Sequence, residues 1–225
     1  MPAADPSRLR RTLVAPLVAT ALLATAACGG SDAEEPVGQV VSGIEVGGED
    51  DGLHGAVLTD PYALPEVSLT DTDGEPYALA ADTDAPLTLV FFGYTQCPDI
   101  CQVVMGSLAS ALTRLSDEEA ERVEVLFVTT DPARDDASTL RAYLDRLDPS
   151  FEGLTGDLDV ITTAGNALGV DIAKGERLPS GGYEVLHGTQ VIGVDAEGRG
   201  TIVWTEGTSP AQFAEDVAAL LGDAA

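Results

Sequence analysis

The sequence predicts an α/β fold in which a central mixed β-sheet is flanked by helices. Two short apolar runs, residues 87–92 (LTLVFF) and 123–130 (VEVLFVTT), are typical of strands that are buried on both faces. A helical pattern follows each run, and a hairpin pattern and a last helix come later in the chain. The 225 residues, of which 44% are hydrophobic, are enough to bury one sizeable core.

Local signals place the other elements, beginning with residues 66–79, whose polar and apolar side chains alternate around DTDG as in a hairpin. Pro98 stands where a helix over about 98–115 begins, because a proline in the first turn needs no N–H. Asp135 or Asp136 is the expected N-cap of the next helix. The elements predicted after it are a short helix over 157–170, a hairpin over 189–204 and a helix over 209–221. Strand, helix, strand, helix, hairpin and helix is the order of a thioredoxin-like sandwich.

The chain is strongly acidic, with 38 Asp and Glu residues against 11 Lys and Arg residues and a formal net charge of −27. Such a surface repels nucleic acid, so nucleic-acid binding is excluded from the functions we consider. We interpret most of this charge as a solvated surface that keeps the protein soluble. A weak preference for cationic partners or metal ions is the alternative.

The first residues are typical of an export signal rather than of a folded domain. SRLRR supplies positive charge, residues 12–27 form an uncharged apolar stretch, and the small residues of TAAC end at Cys28. We interpret residues 1–28 as a lipoprotein-type signal peptide with Cys28 as its lipidation site, the alternative being a plain secretory signal. Residues 29–55 read as a flexible acidic tether, and residues 56–225 as the folded domain. The domain is therefore expected at the extracytoplasmic face of the cell membrane, lipid-anchored, or secreted in the alternative.

The other two cysteines, Cys97 and Cys101, lie in FFGYTQCPDIC, where a predicted strand runs into a helix. At this spacing both sulfur atoms face one side of the first helical turn. They could form a disulfide, bind a soft ion such as Cu(I), or cycle between these states. A disulfide that closes so short a loop adds little stability, so a purely structural pair is the weaker interpretation.

Binding of Cu(II) would also require an imidazole, and the sequence holds two histidines. His54 lies at the border between the tether and the domain, and His187 lies just before the hairpin predicted over 189–204. A lone histidine in a loop is usually a surface residue, and we keep that interpretation for His54. The residues alone leave the role of His187 open. Met105, one turn beyond Cys101, is assigned to the core.

From about residue 53 to 222 the chain resembles the Sco/SenC family of copper-binding, thioredoxin-like proteins that assist assembly of cytochrome c oxidase. FFGYTQCPDIC is similar to the family signature FGYT-x-CPD-[VI]-C, and LFVTTDPARDD is similar to its strand followed by DP-x-RD. HGTQVIGVDAEGRG is similar to the segment that carries the family's ligand histidine. The resemblance implies that Cys97, Cys101 and His187 bind a copper ion, as Cu(I) or Cu(II). Asp131, in TDPARD, would orient the site or the partner, or cap a turn.

Two functions from different classes follow. The first is an extracytoplasmic metallochaperone that takes copper from an extracytoplasmic donor and delivers it to the copper-site subunit of cytochrome c oxidase. A lipid anchor would hold it at the membrane near that recipient. The alternative is a thiol–disulfide oxidoreductase, in which Cys97 attacks and Cys101 resolves, keeping exported or copper-site cysteines reduced. A third option is peroxide reduction by Cys97, and whether the protein is an enzyme stays open.

Overall fold

A six-stranded mixed β-sheet forms the centre of the computed structural model, which describes residues 52–98, 100–177 and 183–223. In chain order the strands are β1 (Ala56–Ala63), β2 (Ser68–Thr70), β3 (Pro76–Ala78), β4 (Leu87–Gly93), β5 (Val123–Thr129), β6 (Glu152–Leu154), β7 (Ile172–Arg177), β8 (Tyr183–His187), β9 (Val191–Asp195) and β10 (Arg199–Trp204). The helices are α1 (Leu79–Asp82), α2 (Ile100–Leu112), α3 (Asp117–Ala120), α4 (Ala137–Leu144), α5 (Leu158–Ala167) and α6 (Pro210–Asp223).

The central sheet has the strand order β1-β10-β9-β4-β5-β6. Strands β4, β5 and β6 run parallel to one another, whereas β9, β10 and β1 are added in antiparallel pairs. Strands β2 and β3 pair as the hairpin predicted around DTDG, and β7 and β8 form another two-stranded sheet. The predicted mixed sheet with flanking helices is therefore confirmed.

Strand β4 is buried along its whole length, as its apolar run predicts. Leu89 and Phe91 belong to the core layer on the face covered by α2, α4 and α6. Val90 and Phe92 point the other way, into the layer that α1 and α5 cover. The strand therefore carries apolar residues without alternation because both of its faces are covered. Met105 is fully buried in the first layer, as expected.

Helix α4 shows which of two neighbouring aspartates is its N-cap. The carboxylate of Asp136 accepts the Thr139 amide N–H at 2.7 Å, so Asp136 is the cap. Asp135 is fully buried and accepts hydrogen bonds from Thr95 N–H at 2.8 Å and from the Thr129 hydroxyl at 2.8 Å. Asp135 thus joins the ends of two parallel strands, β4 and β5, at the edge where the cysteine motif begins.

Local signals did not predict β1, β6 or the β7–β8 pair. Strand β1 contains Pro61 and is irregular between Val57 and Tyr62, which is tolerated because β1 is an edge strand. The predicted signal peptide, Cys28 and nearly all of the predicted tether lie outside the described residues. Within the described part of the chain, no helix is long and apolar enough to cross a membrane.

Candidate metal centre

The two cysteines lie where β4 ends and α2 begins. The Cys97 N–H donates to the Tyr94 carbonyl at 3.1 Å, which closes a tight turn, and Cys101 lies in the first turn of α2. The backbone nitrogen of Cys101 is 3.4 Å from the Sγ atom of Cys97, so this sulfur accepts a hydrogen bond from an amide that has no partner within the helix. Such an amide stabilises a thiolate. Both cysteines are buried and free of a disulfide.

His187 is the last residue of β8 rather than part of a loop before a strand, which corrects the placement expected from the sequence. Its Nε2 atom lies 3.6 Å from the Sγ atom of Cys101. Its Nδ1 atom lies 2.8 Å from the carbonyl oxygen of Gly188. Because a carbonyl oxygen can only accept, Nδ1 carries a hydrogen, and in the neutral imidazole the Nε2 lone pair then faces the sulfur. A second-shell hydrogen bond of this kind fixes the tautomer of histidines that bind metals.

Two aromatic side chains hold the His187 ring in place. Its centroid is 6.1 Å from that of Phe91 and 5.8 Å from that of Tyr94, and both pairs are close to perpendicular. Burial, and to a smaller extent the charge of the two nearby cysteine sulfurs, raises the pKa of Tyr94 above its usual value. The Tyr94 hydroxyl therefore stays protonated at neutral pH beside the sulfur pair.

The Cys97, Cys101 and His187 ligand atoms all lie within 4.8 Å of one another. Sulfur and nitrogen ligands about 2.0–2.3 Å from a metal ion are at most about 4.6 Å apart, so a small movement of side chains would close the site around one ion. Two thiolates suit Cu(I), and the imidazole extends the set to Cu(II). In the described residues, this is the one cluster of three or more metal-ligating side chains that meets such a distance.

The cluster opens to solvent through a cleft of about 160 Å³. Cys97 and His187 line the cleft, whereas Cys101 is completely buried beneath it. An ion held by all three residues could therefore be approached by a further ligand from the side of Cys97 and His187. Such an opening is typical of sites that exchange a ligand, whereas structural metal sites are closed.

His54 lies apart from this cluster. Its Nε2 atom is 2.9 Å from a carboxylate oxygen of Glu215 in α6, and its side chain is exposed. The surface role that we kept for His54 agrees with this position.

The Asp131 side chain contacts the hairpin that carries His187. Its carboxylate accepts a hydrogen bond from the Tyr183 hydroxyl at 2.7 Å and forms an ion pair with Arg134. Asp131 is buried, so the contact is shielded from water. Of the two roles expected for Asp131, orientation of the site fits these side-chain contacts. Sequence reasoning missed Arg134 and Tyr183, because only the fold brings them together.

Comparison with known proteins places this arrangement in a family. The family model described as SCO1/SenC matches residues 60–222. A candidate copper-binding protein of Stutzerimonas stutzeri is 30% identical over 148 residues, which are 65% of this chain and 72% of that protein. Several mitochondrial relatives are matched over about half of their length, 47% and 44% for SCO2 proteins of Danio rerio and Saccharomyces cerevisiae.

Solved structures have the same fold. Copper-bound ScoI of Bradyrhizobium japonicum superimposes with a TM-score of 0.61 and 28% identity, over 72% of this chain and 98% of that one. Apo Sco1 of Thermus thermophilus gives 0.66 and 30%, over 75% and 96%. The fold and the cysteine pair define a thioredoxin-like protein with a thiol centre at the end of a central strand. The chain belongs to the SCO1/SenC family.

Proposed function

We propose that the protein is a copper metallochaperone that binds one copper ion through Cys97, Cys101 and His187 and delivers it to the copper site of cytochrome c oxidase. The observation that carries this proposal is the convergence of two cysteine sulfurs and one imidazole nitrogen within 4.8 Å. Membership of the SCO1/SenC family supports the choice of copper and of the oxidase recipient. The copper-bound ScoI structure supports the choice of metal, since it shares the fold at 28% sequence identity.

Delivery requires that copper can leave, and the geometry of the site favours this. The ion would be held by three protein ligands and reached from one side through the cleft. A cysteine or histidine of the recipient can then bind before a ligand of the chaperone is released. Transfer by ligand exchange avoids a free copper ion.

The site of action belongs to the same proposal. The apolar stretch over residues 12–27 and the TAAC sequence ending at Cys28 support export and lipid anchoring. Anchoring would place the domain at the extracytoplasmic face of the membrane, beside a membrane-embedded oxidase. The effective concentration of the chaperone at its recipient would rise accordingly.

Copper titration of the reduced full chain tests the proposal. We expect about one copper ion per chain, and Cu(II) should produce intense sulfur-to-copper charge-transfer bands. Cys97→Ser and Cys101→Ser should each abolish these bands. The copper-loaded chain should also transfer its ion to the apo form of the copper-site domain of an oxidase subunit. Absence of stoichiometric copper and of the bands in the wild-type chain would overturn the metallochaperone.

A thiol–disulfide oxidoreductase remains the second candidate, because the two cysteines lie one helical turn apart and the Cys97 sulfur accepts a hydrogen bond from the Cys101 amide at the helix N-terminus. Here the Cys97 thiolate would attack a substrate disulfide, and Cys101 would displace the reduced substrate and leave a Cys97–Cys101 disulfide. That exchange forms no bond to the imidazole of His187, whereas Cu(II) binding does. Reduction of a mixed-disulfide substrate at equal rates by the wild type and by His187→Ala would favour the oxidoreductase.

A further inference from the structure

We infer that Arg134 and Tyr183 are positioning residues that hold the β7–β8 hairpin against the cysteine loop, residues 94–98 between β4 and α2, and so keep His187 at the metal centre. The inference rests on the proposed function, since it concerns the third ligand of that site. It assigns no new ligand. It explains how a ligand on a separate two-stranded sheet is kept close to two thiols on another part of the fold.

The hairpin needs such a support. Among the residues that the structure describes, strands β7 and β8 pair only with each other, so no ladder of backbone hydrogen bonds seen there ties them to the central sheet. A two-stranded sheet is marginally stable unless it packs against another element. At one end, Ile172 packs against the core beside α5, and this end is paired with His187. The opposite end, at Tyr183, is the one that requires a separate attachment.

Alternate residues of β8 face the domain. Tyr183 contacts Asp131, Val185 packs against the first core layer, and His187 reaches Cys101. Residues two apart on a strand share a face, so the three contacts form one row. Leu186, on the other face, is 59% exposed. Attachment of β8 at Tyr183 therefore also fixes the position and orientation of the His187 ring relative to Cys101.

Arg134 provides most of that attachment. Its guanidinium lies 3.9 Å from the centroid of the Tyr183 ring and donates a hydrogen bond to the Tyr183 carbonyl at 3.2 Å. The same group pairs with Asp131 and lies 3.5 Å from the amide oxygen of Gln96, the neighbour of Cys97. A planar guanidinium can stack on a ring and donate at its edge at the same time, which an ammonium cannot do. One side chain thus joins the turn after β5, the cysteine loop and the hairpin.

The Tyr183 hydroxyl adds a second bond, to Asp131 at 2.7 Å. Loss of either side chain leaves both thiols in place, because Cys97 and Cys101 are held by the β4–α2 connection. The expected defect is therefore selective. Cu(I), which two thiolates satisfy, should be bound almost as before, whereas Cu(II), which also requires the imidazole, should be bound less tightly.

The experiment compares Arg134→Gln and Tyr183→Phe with wild type in the reduced full chain. Arg199→Gln is the matched control, since Arg199 also forms an ion pair with an aspartate, Asp195, but is the first residue of β10. We expect Arg134→Gln to weaken Cu(II) binding about tenfold and Cu(I) binding less than about threefold. Tyr183→Phe should show a smaller loss of the same kind. Arg199→Gln should leave the ratio of Cu(II) to Cu(I) affinity unchanged.

Hydrogen exchange of the apo chain supplies a readout that does not depend on copper. The β8 amides should exchange faster in Arg134→Gln, while those of β4 and β5 should not. Unchanged β8 exchange overturns the inference whatever the copper result. Equal weakening of Cu(I) and Cu(II), or an unchanged affinity ratio, also overturns it. Failure of the wild-type chain to bind copper instead overturns the proposed function, and the exchange rates alone then decide whether the two residues hold the hairpin.

Discussion

The Nε2 atom of His187 lies 3.6 Å from the Sγ atom of Cys101, although 86 positions separate the two residues in the chain. The contact joins the first turn of α2 to a hairpin outside the central sheet. Nδ1 donates a hydrogen bond to the Gly188 carbonyl. In the neutral imidazole, Nε2, which faces the sulfur, is then the nitrogen that could bind a metal. The imidazole therefore lies beside the two sulfurs, and closing the proposed copper site would need only a small movement of side chains.

Replacement of His187 by alanine should separate the two oxidation states of copper. The variant keeps both thiols, so its affinity for Cu(I) should change little. Its affinity for Cu(II) should fall by more than the roughly 10–100-fold that is typical when only a residue supporting a ligand is lost. Competition with chelators of known affinity, together with the charge-transfer spectrum, measures both values.

His54→Ala is the control for this experiment, because it removes the other histidine of the chain, which lies outside the Cys97, Cys101 and His187 cluster. It should leave both copper affinities unchanged. An unaltered Cu(II) spectrum in His187→Ala, or a comparable loss in His54→Ala, would contradict the three-ligand site.

Gly93 matters because there is no room beside it for a side chain. A Cβ atom there would lie 2.8 Å from Phe91 Cε1, 3.0 Å from Phe127 Cε2 and 3.1 Å from the Sγ atom of Cys101. Gly93→Ala should therefore destabilise the fold by about 1–3 kcal/mol, as overpacked cores do, and displace the Cys101 sulfur. Chemical denaturation and copper titration would measure the two effects.

The matched substitution is Gly106→Ala in α2, where a Cβ atom would meet nothing within 4 Å. Alanine is the better helix former, so this variant should gain roughly 0.5–1 kcal/mol and bind copper as the wild type does. If Gly93→Ala were as stable as the wild type and bound copper with the same affinity, the inference that the side chains around Cys101 are tightly packed would be wrong.

The sequence was most informative where a strong local pattern coincided with complete burial. The apolar runs of β4 and β5 predicted the central strands because both faces are covered, and Pro98 marked the region where α2 begins to within two residues. The two cysteines were placed correctly because their spacing and the strand before them leave one arrangement. These predictions use only short stretches of chain.

The hairpin of β7 and β8 could not be predicted in the same way. Its strands, IAKGER and YEVLH, lack the regular alternation of a half-buried strand, and within the described ranges they pair only with each other. Its position depends on contacts with Arg134 and Asp131, which lie about fifty residues earlier. His187 was therefore singled out by resemblance to a family rather than by its own surroundings.

Asp216 fastens the start of the domain to α6. This carboxylate is almost completely buried and accepts hydrogen bonds from the backbone N–H groups of His54 and Gly55 and from the Trp204 indole at 2.6 Å. In Asp216→Asn the side-chain NH2 group faces N–H groups that can only donate, so a hydrogen bond is lost. We expect the free energy of unfolding to fall by about 2–3 kcal/mol. Glu215→Gln, which removes only the exposed pair with His54, should change stability by less than about 0.5 kcal/mol. Equal midpoints for the two variants in urea would contradict this role.

Glu124 should make the stability of the protein depend on pH. Burial raises the pKa of this carboxyl above its usual value, although hydrogen bonds from the hydroxyls of Thr88, at 3.1 Å, and Tyr77 oppose the shift. Folding therefore favours the protonated form. The stability that protonation contributes is fully present below the pKa of the unfolded chain and is lost as the pH rises through the folded pKa.

Glu124→Gln keeps the side chain neutral at every pH, and either hydroxyl can rotate to accept from its amide. The variant should consequently be more stable than wild type at pH 7, and this advantage should shrink at about pH 4, near the ordinary glutamate pKa. Glu66→Gln is the control, because removal of any carboxylate from a chain of net charge −27 relieves some repulsion. Glu66 is exposed, so its variant reports that general effect. Urea midpoints at both pH values decide the matter: a gain no larger than that of Glu66→Gln would show that burial of Glu124 costs nothing.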